Sequence, residues 1–198
     1  MATFSAQVQA LTTITISSSS TYPTEAQLTQ FLTDGAREII NILPPDLLQY
    51  CTGATELDDS PTPFAISSET TVGKILYVTR SDGTRQQPCR KIPAIYSDLA
   101  SDSDNLFHYG TTTDPVYWIK GTHTDNATTT ASILETFPEP TNAQPAVVYY
   151  VAYPNAVAYN GSAITNFPDG AEYLVVLYAS MKSLLSAIGS LQIPPDAF

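Results

Sequence analysis

The 198-residue chain carries little charge, and most of that charge has one sign. Asp and Glu number 19 against 8 Lys and Arg, which gives a formal net charge of −11. Charged residues make up 14 % of the chain, whereas a soluble domain usually carries about 25 %. With so few cations, and none of them in a long run, the sequence argues strongly against a protein that grips nucleic-acid phosphates.

Long apolar runs and paired cysteines are also missing. The longest apolar stretches, at 146–153 and 173–179, fall well short of the ~20 residues that a membrane-spanning helix needs. The N-terminal MATFS lacks the basic and apolar segments of a secretory signal. Cys51 and Cys89 lie far apart without CxxC spacing, which favours free thiols in a reduced, intracellular protein.

Familiar catalytic and metal-binding motifs are absent from the sequence as well. No GxGxxG, GxxxxGK[ST], HExxH or GxSxG pattern occurs. The two histidines, His108 and His123, lack the paired spacing of metal ligands. Ser and Asp are so common that they give no specific support to a Ser–His–Asp triad. We therefore expect a non-enzymatic protein with no catalytic residue, no metal site and no cofactor.

Two clusters leave alternatives open. The acidic stretch Asp98–Asp104 places carboxylates at alternating positions, as an oxygen-ligated cation prefers, but no glycine or distal Glu completes a calcium loop. A solvated acidic loop is favoured there, and cation binding stays open. The tyrosines are candidates for a sugar-binding platform, although at strand spacing they are more typical of packing; they are Tyr149, Tyr150, Tyr153 and Tyr159.

Hydroxyl groups replace the missing charge. The chain contains 26 Thr, 18 Ser and 12 Tyr. Neutral polar groups are cheaper to desolvate than ions, so a surface of this composition tolerates burial against other proteins.

Residues 24–43 are predicted to form an amphipathic helix. Thr24-Glu25-Ala26-Gln27 fits a capping box, and Pro44-Pro45 ends the apolar pattern because proline cannot continue a helix. The Ser/Thr-rich residues 1–23 are predicted to form an arm or an edge strand. The predicted core residues of the helix are Leu28, Phe31, Leu32, Ile39 and Ile40.

Residues 52–160 consist of short runs rich in Val, Ile, Thr and Tyr, separated by Gly and Pro, which predicts strands. A strand over 74–80, a turn at 81–84 and a return strand over 84–92 predict a hairpin. Charges on an exposed edge discourage unwanted strand pairing, and this hairpin carries five of the eight basic residues: Lys74, Arg80, Arg85, Arg90 and Lys91. Further strands are predicted at 106–109, 116–120, 132–137 and 146–153.

A second long helix is predicted near the C-terminus. Asn166-Phe167-Pro168-Asp169 is a strong start signal, with Asn as the cap and proline at the first helical position. Apolar residues occupy more than one face, so we expect neighbouring elements and neighbouring subunits to cover most of this helix. Its predicted core residues are Leu174, Leu177, Tyr178, Met181, Leu185 and Ile188.

These segments together predict an α+β fold. Helices from the N- and C-terminal parts, 24–51 and 161–191, pack together as a helical core. Residues 52–160 form an inserted, antiparallel β subdomain. Residues 1–23 are the N-terminal arm, and residues 192–198 are a C-terminal docking tail.

Two segments resemble virion structural proteins of tailed bacteriophages. One leads from Val148-Tyr149-Tyr150 through a loop to ITNFPDGAEYL at 164–174, and the other from FLTDGA at 31–36 to Ile42-Leu43-Pro44-Pro45. The layout, in which helices from both chain ends carry a β insertion, is similar to the neck proteins called head-to-tail adaptors or connectors. The resemblance covers roughly half of the chain and rests on pattern, with no catalytic motif.

The resemblance implies a ring of about twelve copies in the virion neck, closed by cyclic symmetry. The ring lies between the portal and the tail, it assembles in the host cytoplasm, and genomic DNA passes through its lumen. The implied partners are other copies of the chain, the portal protein, and tail or nozzle proteins, with no membrane. An acidic lumen repels phosphates and lets the genome slide.

In similar adaptors a C-terminal tail docks onto the portal, which makes the end of this chain the predicted subunit and portal interface: Leu191, Ile193, Pro194, Pro195 and Phe198. Other functions stay open. The composition also fits a tail-tube, tail-completion or capsid-associated structural protein. A glycan-binding module is a less favoured alternative, motivated by the tyrosines.

Overall fold

The computed structural model describes residues 2–17, 23–58, 64–66, 72–121, 123–125, 128–130 and 132–190, and it confirms the α+β class. The chain divides into two compact units. The helical unit combines Met1–Cys51 with Tyr153–Phe198, and the β unit is Thr52–Ala152. The insert therefore ends at residue 152 and not at the predicted 160.

The helical unit is built around one long helix. Its described α-helices are α1 (Phe4–Thr12), α2 (Glu25–Ile42), α3 (Pro45–Leu48) and α4 (Asp169–Ser190). A short 3-10 turn at Gln49–Cys51 follows α3. Both α1 and α2 pack against α4. The N- and C-terminal parts of the chain thus form one helical core, as predicted.

The prediction of an arm or an edge strand over residues 1–23 is wrong for Phe4–Thr12, because these residues form the helix α1 and pack in the helical core. The Thr3 hydroxyl caps it by accepting a hydrogen bond from the Ala6 amide. Phe4 and Val8, one helical turn apart, are 1 % and 0 % exposed. The backbone amide of Phe4 also donates to the Gly161 carbonyl at 2.8 Å. The alternating apolar residues later in this segment suggested a strand, but the cap and the 4-residue spacing of Phe4 and Val8 determine the structure.

The helix predicted at 24–43 is confirmed as α2. Its capping box is complete, with Thr24 and Gln27 each accepting a backbone hydrogen bond from the other. Four of its predicted core residues are buried and Phe31 is half-buried: the buried ones are Leu28, Leu32, Ile39 and Ile40. The Thr33 hydroxyl accepts a hydrogen bond from the Val157 amide at 2.9 Å, which ties the segment before α4 to α2.

The described residues of the β unit form two four-stranded sheets and a separate small hairpin. The first sheet has the order β1 (Thr52–Leu57), β10 (Ala146–Ala152), β3 (Val72–Ser81), β4 (Gln86–Pro88). The second has the order β2 (Phe64–Ala65), β9 (Ile133–Phe137), β6 (Val116–Lys120), β5 (Arg90–Lys91). The hairpin pairs β7 (His123–Asp125) with β8 (Thr128–Thr130).

The core of the β unit lies between the two four-stranded sheets. Val78 and Val148 from the first sheet pack with Phe64, Tyr117 and Leu134 from the second, and all five are buried. Inward-facing apolar residues alternate with outward-facing ones along β9 and β10, as in a sheet with one buried face. The two sheets therefore form a sandwich.

The predicted hairpin forms between β3 and β4, but its return strand is split. The chain leaves the first sheet at Pro88 and joins the second at Arg90, where β5 pairs in parallel with β6. Proline has no amide hydrogen to continue the pairing. In the turn, the Asp82 carboxylate accepts hydrogen bonds from two backbone amides and from the Gln87 side chain, which lower its pKa to about 2. Gly83 supplies the left-handed φ of +96°.

The prediction that the basic residues of this hairpin lie on an exposed edge is wrong for Arg80, which is buried. Its side chain is 2 % exposed. The guanidinium donates to the backbone carbonyls of Ser81 and Glu139, both at 3.0 Å, and to the Gln144 side-chain oxygen at 3.2 Å. Arg80 therefore fixes the loop between β9 and β10 to β3, and the remaining basic residues set the edge charge.

The strands predicted at 116–120, 132–137 and 146–153 correspond to β6, β9 and β10. The strand predicted at 106–109 is wrong, because these residues form a turn. The Asn105 side-chain oxygen accepts hydrogen bonds from the amides of Phe107 and His108, and a side chain that bonds its own backbone competes with strand pairing.

The close approach of α2 and α4 can be tested at Gly35. A Cβ at this position would lie 2.9 Å from the Tyr178 ring. We expect Gly35→Ala to destabilise the helical unit by about 1–3 kcal/mol through overpacking. Gly189→Ala is the matched control, since a Cβ added there would meet no atom of another element within 4 Å among the described residues. It should instead raise stability by up to about 1 kcal/mol. Urea unfolding followed by far-ultraviolet circular dichroism measures both, and equal effects of the two substitutions would contradict the packing described.

Candidate functional site

The predicted docking tail cannot be placed, because residues 191–198 lie outside the described residues. This covers every residue of the predicted subunit and portal interface: Leu191, Ile193, Pro194, Pro195 and Phe198. The candidate site among the described residues is the helix that precedes this tail, α4.

One face of α4 is buried within the chain, and its residues are mostly small. They are Ala171, Val175, Val176, Ala179, Ser180 and Ser183. Small side chains let helix axes approach closely, and Gly35 of α2 provides the matching space opposite Tyr178. The Ser180 hydroxyl donates to the Val176 carbonyl of the same helix, so it is satisfied inside this face.

The large apolar residues of α4 point away from this buried face, which corrects the core prediction for the second helix. Tyr178 is half-buried. The other predicted core residues are 40–63 % exposed: Leu174, Leu177, Met181, Leu185 and Ile188. Tyr173 and Leu184 are also exposed, at 57 % and 41 %. The helix has two apolar faces, and the smaller residues permit the closer contact with α2.

These seven exposed residues define what we call the outer face of α4: Tyr173, Leu174, Leu177, Met181, Leu184, Leu185 and Ile188. At about 100° per residue they fall within roughly a third of the helix circumference, together with Gly170. Leu174, Leu177, Met181, Leu184 and Ile188 follow spacings of 3, 4, 3 and 4 residues. That spacing is typical of a seam where one helix packs along another.

None of the seven residues of the outer face of α4 carries a charged side chain. The only basic residue on the helix, Lys182, lies over the ring of Tyr178, 5.4 Å from its centroid. The carboxylate of Glu172 accepts a hydrogen bond from the Ile164 amide at 2.7 Å, so it is used within the chain. The strip is four turns long and neutral, and the Tyr173 hydroxyl is the one polar side-chain group among its seven residues. It therefore gains free energy mainly when another apolar surface covers it.

By length and composition α4 also meets the criterion for a membrane-spanning helix, a criterion that core helices of soluble proteins meet as well. Its buried face is already covered by α1 and α2. The expectation of no membrane partner stays a prediction.

The four tyrosines do not come together as a sugar platform. Tyr149 stacks on Tyr77 with ring centroids 4.4 Å apart, whereas Tyr150 lies beside Phe64 in the sandwich core. Tyr153 and Tyr159 belong to the helical unit. There, the Tyr153 hydroxyl donates a hydrogen bond to the Asn41 side chain. The Tyr159 hydroxyl is hydrogen-bonded to the Glu25 carboxylate, which raises the pKa of Tyr159.

The acidic stretch Asp98–Asp104 runs from the end of the 3-10 helix Ala94–Ala100 into a turn, where the Asp102 side chain bonds the backbone. Asp102 accepts a hydrogen bond from the Asp104 amide at 3.0 Å. Within the described ranges, no group of three or more His, Cys, Asp or Glu side chains is close enough to hold a metal ion. The His108 ring lies against the Tyr96 ring at a tilt of 43° and contacts the Asn105 side chain, which is neutral. The side chain of His123 lies outside the described residues.

The two cysteines are free thiols in non-reactive surroundings. Burial raises the pKa of the Cys89 thiol to about 12, despite the opposing effect of Arg80. Burial likewise raises the pKa of Cys51. A raised pKa keeps the group as the neutral thiol at physiological pH, whereas nucleophilic attack needs the thiolate.

We therefore expect Cys89 to be chemically inert in the folded protein. At pH 8 a pKa of about 12 leaves about one thiol in 10⁴ ionised, against about a quarter for an ordinary thiol. In a Cys51→Ser variant, alkylation by iodoacetamide should be at least about 100-fold slower in native than in denaturing buffer. Similar rates in the two buffers would show that Cys89 is an accessible nucleophile.

Comparison with known proteins does not add a relative to this picture. The chain matches no protein-family model and no curated protein. Its function is therefore inferred from the geometry of the described residues and from the resemblance to phage neck proteins.

Proposed function

We propose that the chain is a non-enzymatic structural subunit that assembles with copies of itself into a ring, and that this ring is the head-to-tail adaptor in the neck of a tailed-phage virion. The observation that carries the proposal is the outer face of α4, a neutral apolar strip that the described part of the helical unit leaves exposed. Monomeric soluble proteins rarely expose a continuous apolar surface of this kind.

The energetics favour coverage of this strip by another protein surface. Burying a Leu, Ile or Met side chain contributes about 1.5–3 kcal/mol relative to exposing it. The five residues of the 3-4 seam are each 40–63 % exposed, so they retain a large part of that free energy for association. A second copy of the chain is the partner that is always present where the protein is made, and closed rings are a common product of repeated contacts.

The charge of the chain supports the adaptor role within the class of ring proteins. With a net charge of −11, a ring of many copies carries a strongly negative potential. Such a lumen repels the phosphates of genomic DNA, so the genome passes without sticking. The portal protein and the tail or nozzle proteins are the partners that the adaptor role requires on its two sides.

Electron microscopy tests the proposal directly. Purified full-length chain should form closed rings of about twelve copies, and the same rings should appear between portal and tail in particles that carry the chain. A stable monomer at tens of micromolar concentration contradicts self-assembly. Rings that form but lie elsewhere in the particle contradict the adaptor role and favour the tail-tube, tail-completion or capsid-associated alternative.

The outer face of α4 can be tested by placing charge in it. Met181→Glu and Ile188→Glu alter side chains that are 57 % and 63 % exposed, so the fold of the single chain should survive. Buried in an interface, each carboxylate would be desolvated, and we expect association to weaken at least about 100-fold. Sedimentation velocity gives the association state, and circular dichroism checks the fold. Ile42→Glu, on α2 and 72 % exposed, is the control and should assemble as the wild type does. Rings that persist in both α4 variants would contradict the proposed interface.

A further inference from the structure

A second exposed apolar surface lies in the β unit, on both sides of the acidic stretch Asp98–Asp104. Ile95 and Tyr96 on the 3-10 helix Ala94–Ala100 are 82 % and 40 % exposed. Leu106 and Phe107, in the turn that follows, are 89 % and 78 % exposed. The Tyr96 ring lies 4.4 Å from the His108 ring, so the helix and the turn are held side by side. We call these four residues the loop surface.

The 3-10 helix buries its small apolar side chains and exposes its large ones. It buries Ala100 in a cluster with Ile92, Val116 and Trp118, and Ala94 packs against the same cluster. The larger Ile95 and Tyr96 remain exposed. Small residues inside and large ones outside are what a contact surface requires, because only the outer side chains can insert into a partner.

The turn that carries Leu106 and Phe107 is held by specific hydrogen bonds. The Asn105 side-chain oxygen accepts from the backbone amides of Phe107 and His108. The Arg90 guanidinium donates to the Phe107 carbonyl at 2.8 Å and pairs with Asp114 at 3.2 Å. A turn fixed in this way presents its apolar side chains at little entropic cost on binding.

The net charge around the loop surface is negative, because Arg90, whose guanidinium contacts the turn, is paired with Asp114. Asp98, Asp102 and Asp104 are exposed beside it. No Lys or Arg occurs between residues 92 and 108. An apolar patch bordered by carboxylates is complementary to apolar pockets bordered by cations.

We propose that the loop surface docks onto a different protein, one whose surface carries apolar pockets bordered by Lys or Arg. A second copy of this chain fits poorly, because the chain has only eight Lys and Arg residues with which to border such pockets. Of these, Arg80 is buried, and Arg90 and Lys120 are paired with carboxylates of the chain. The inference depends on the β unit alone and stands whether or not the chain is a neck protein.

Site-specific photocrosslinking tests this inference in the cells that produce the chain. Phe107→p-benzoylphenylalanine places the photoreactive group on the exposed ring, and mass spectrometry locates the adduct. We expect adducts on one polypeptide other than this chain, at a segment where Lys or Arg adjoins apolar residues. Tyr77→p-benzoylphenylalanine, on β3 of the same unit and 51 % exposed, should not reach that polypeptide.

Charge reversal separates specific docking from general attraction to an acidic protein. Asp98→Lys with Asp104→Lys should lower the crosslink yield at least about 10-fold. Glu56→Lys with Asp58→Lys changes the charge of the same unit equally at exposed residues and should leave the yield within about two-fold. Fluorescence of Trp118, the single tryptophan, confirms that each variant is folded. Adducts on a second copy, on lipid, on many polypeptides or on none, or equal loss in the two reversals, would each overturn the proposal.

Discussion

The packing of α4 against α2 is the contact on which the rest of the helical unit depends. Gly35 leaves space for Tyr178, and α4 meets the contact with Ala, Val and Ser side chains. Because close approach selects these small residues, the Leu, Met and Ile side chains of the same helix turn outward. One packing choice therefore both closes the core of this unit and creates the apolar outer face of α4.

The outer face of α4 and the loop surface differ in chemistry, and the two proposals assign them different kinds of contact. The outer face of α4 is neutral and follows the 3-4 spacing of a helix seam, which suits lasting contact between copies. The loop surface is bordered by Asp98 and Asp104, which adds a requirement for cations on the partner. In the proposed adaptor, the first contact would repeat between copies and the second would select a different protein.

Local signals in the sequence predict much of this fold but not the site. The capping box at Thr24 and the apolar stripe behind it predict α2 almost to the residue. The Gly and Pro residues that separate the short apolar runs predict β6, β9 and β10. Helical periodicity places Leu174 and Met181 on an apolar face, yet it cannot say which of two apolar faces the chain itself covers. That choice depends on Gly35, which is distant in sequence. The burial of Arg80 on β3 could not be predicted either, because its partners Glu139 and Gln144 lie far away in sequence, on the loop between β9 and β10.

The central claim is that the outer face of α4 is covered in the assembled protein, and oxidation of Met181 tests it most directly. In the single chain this thioether is 57 % exposed, and peroxide converts an accessible methionine to the sulfoxide. We expect oxidation at least about 10-fold slower in the native wild-type protein than in denaturant, with the fast rate restored in the Ile188→Glu variant. Fast oxidation of Met181 in the concentrated native wild-type protein would contradict the claim.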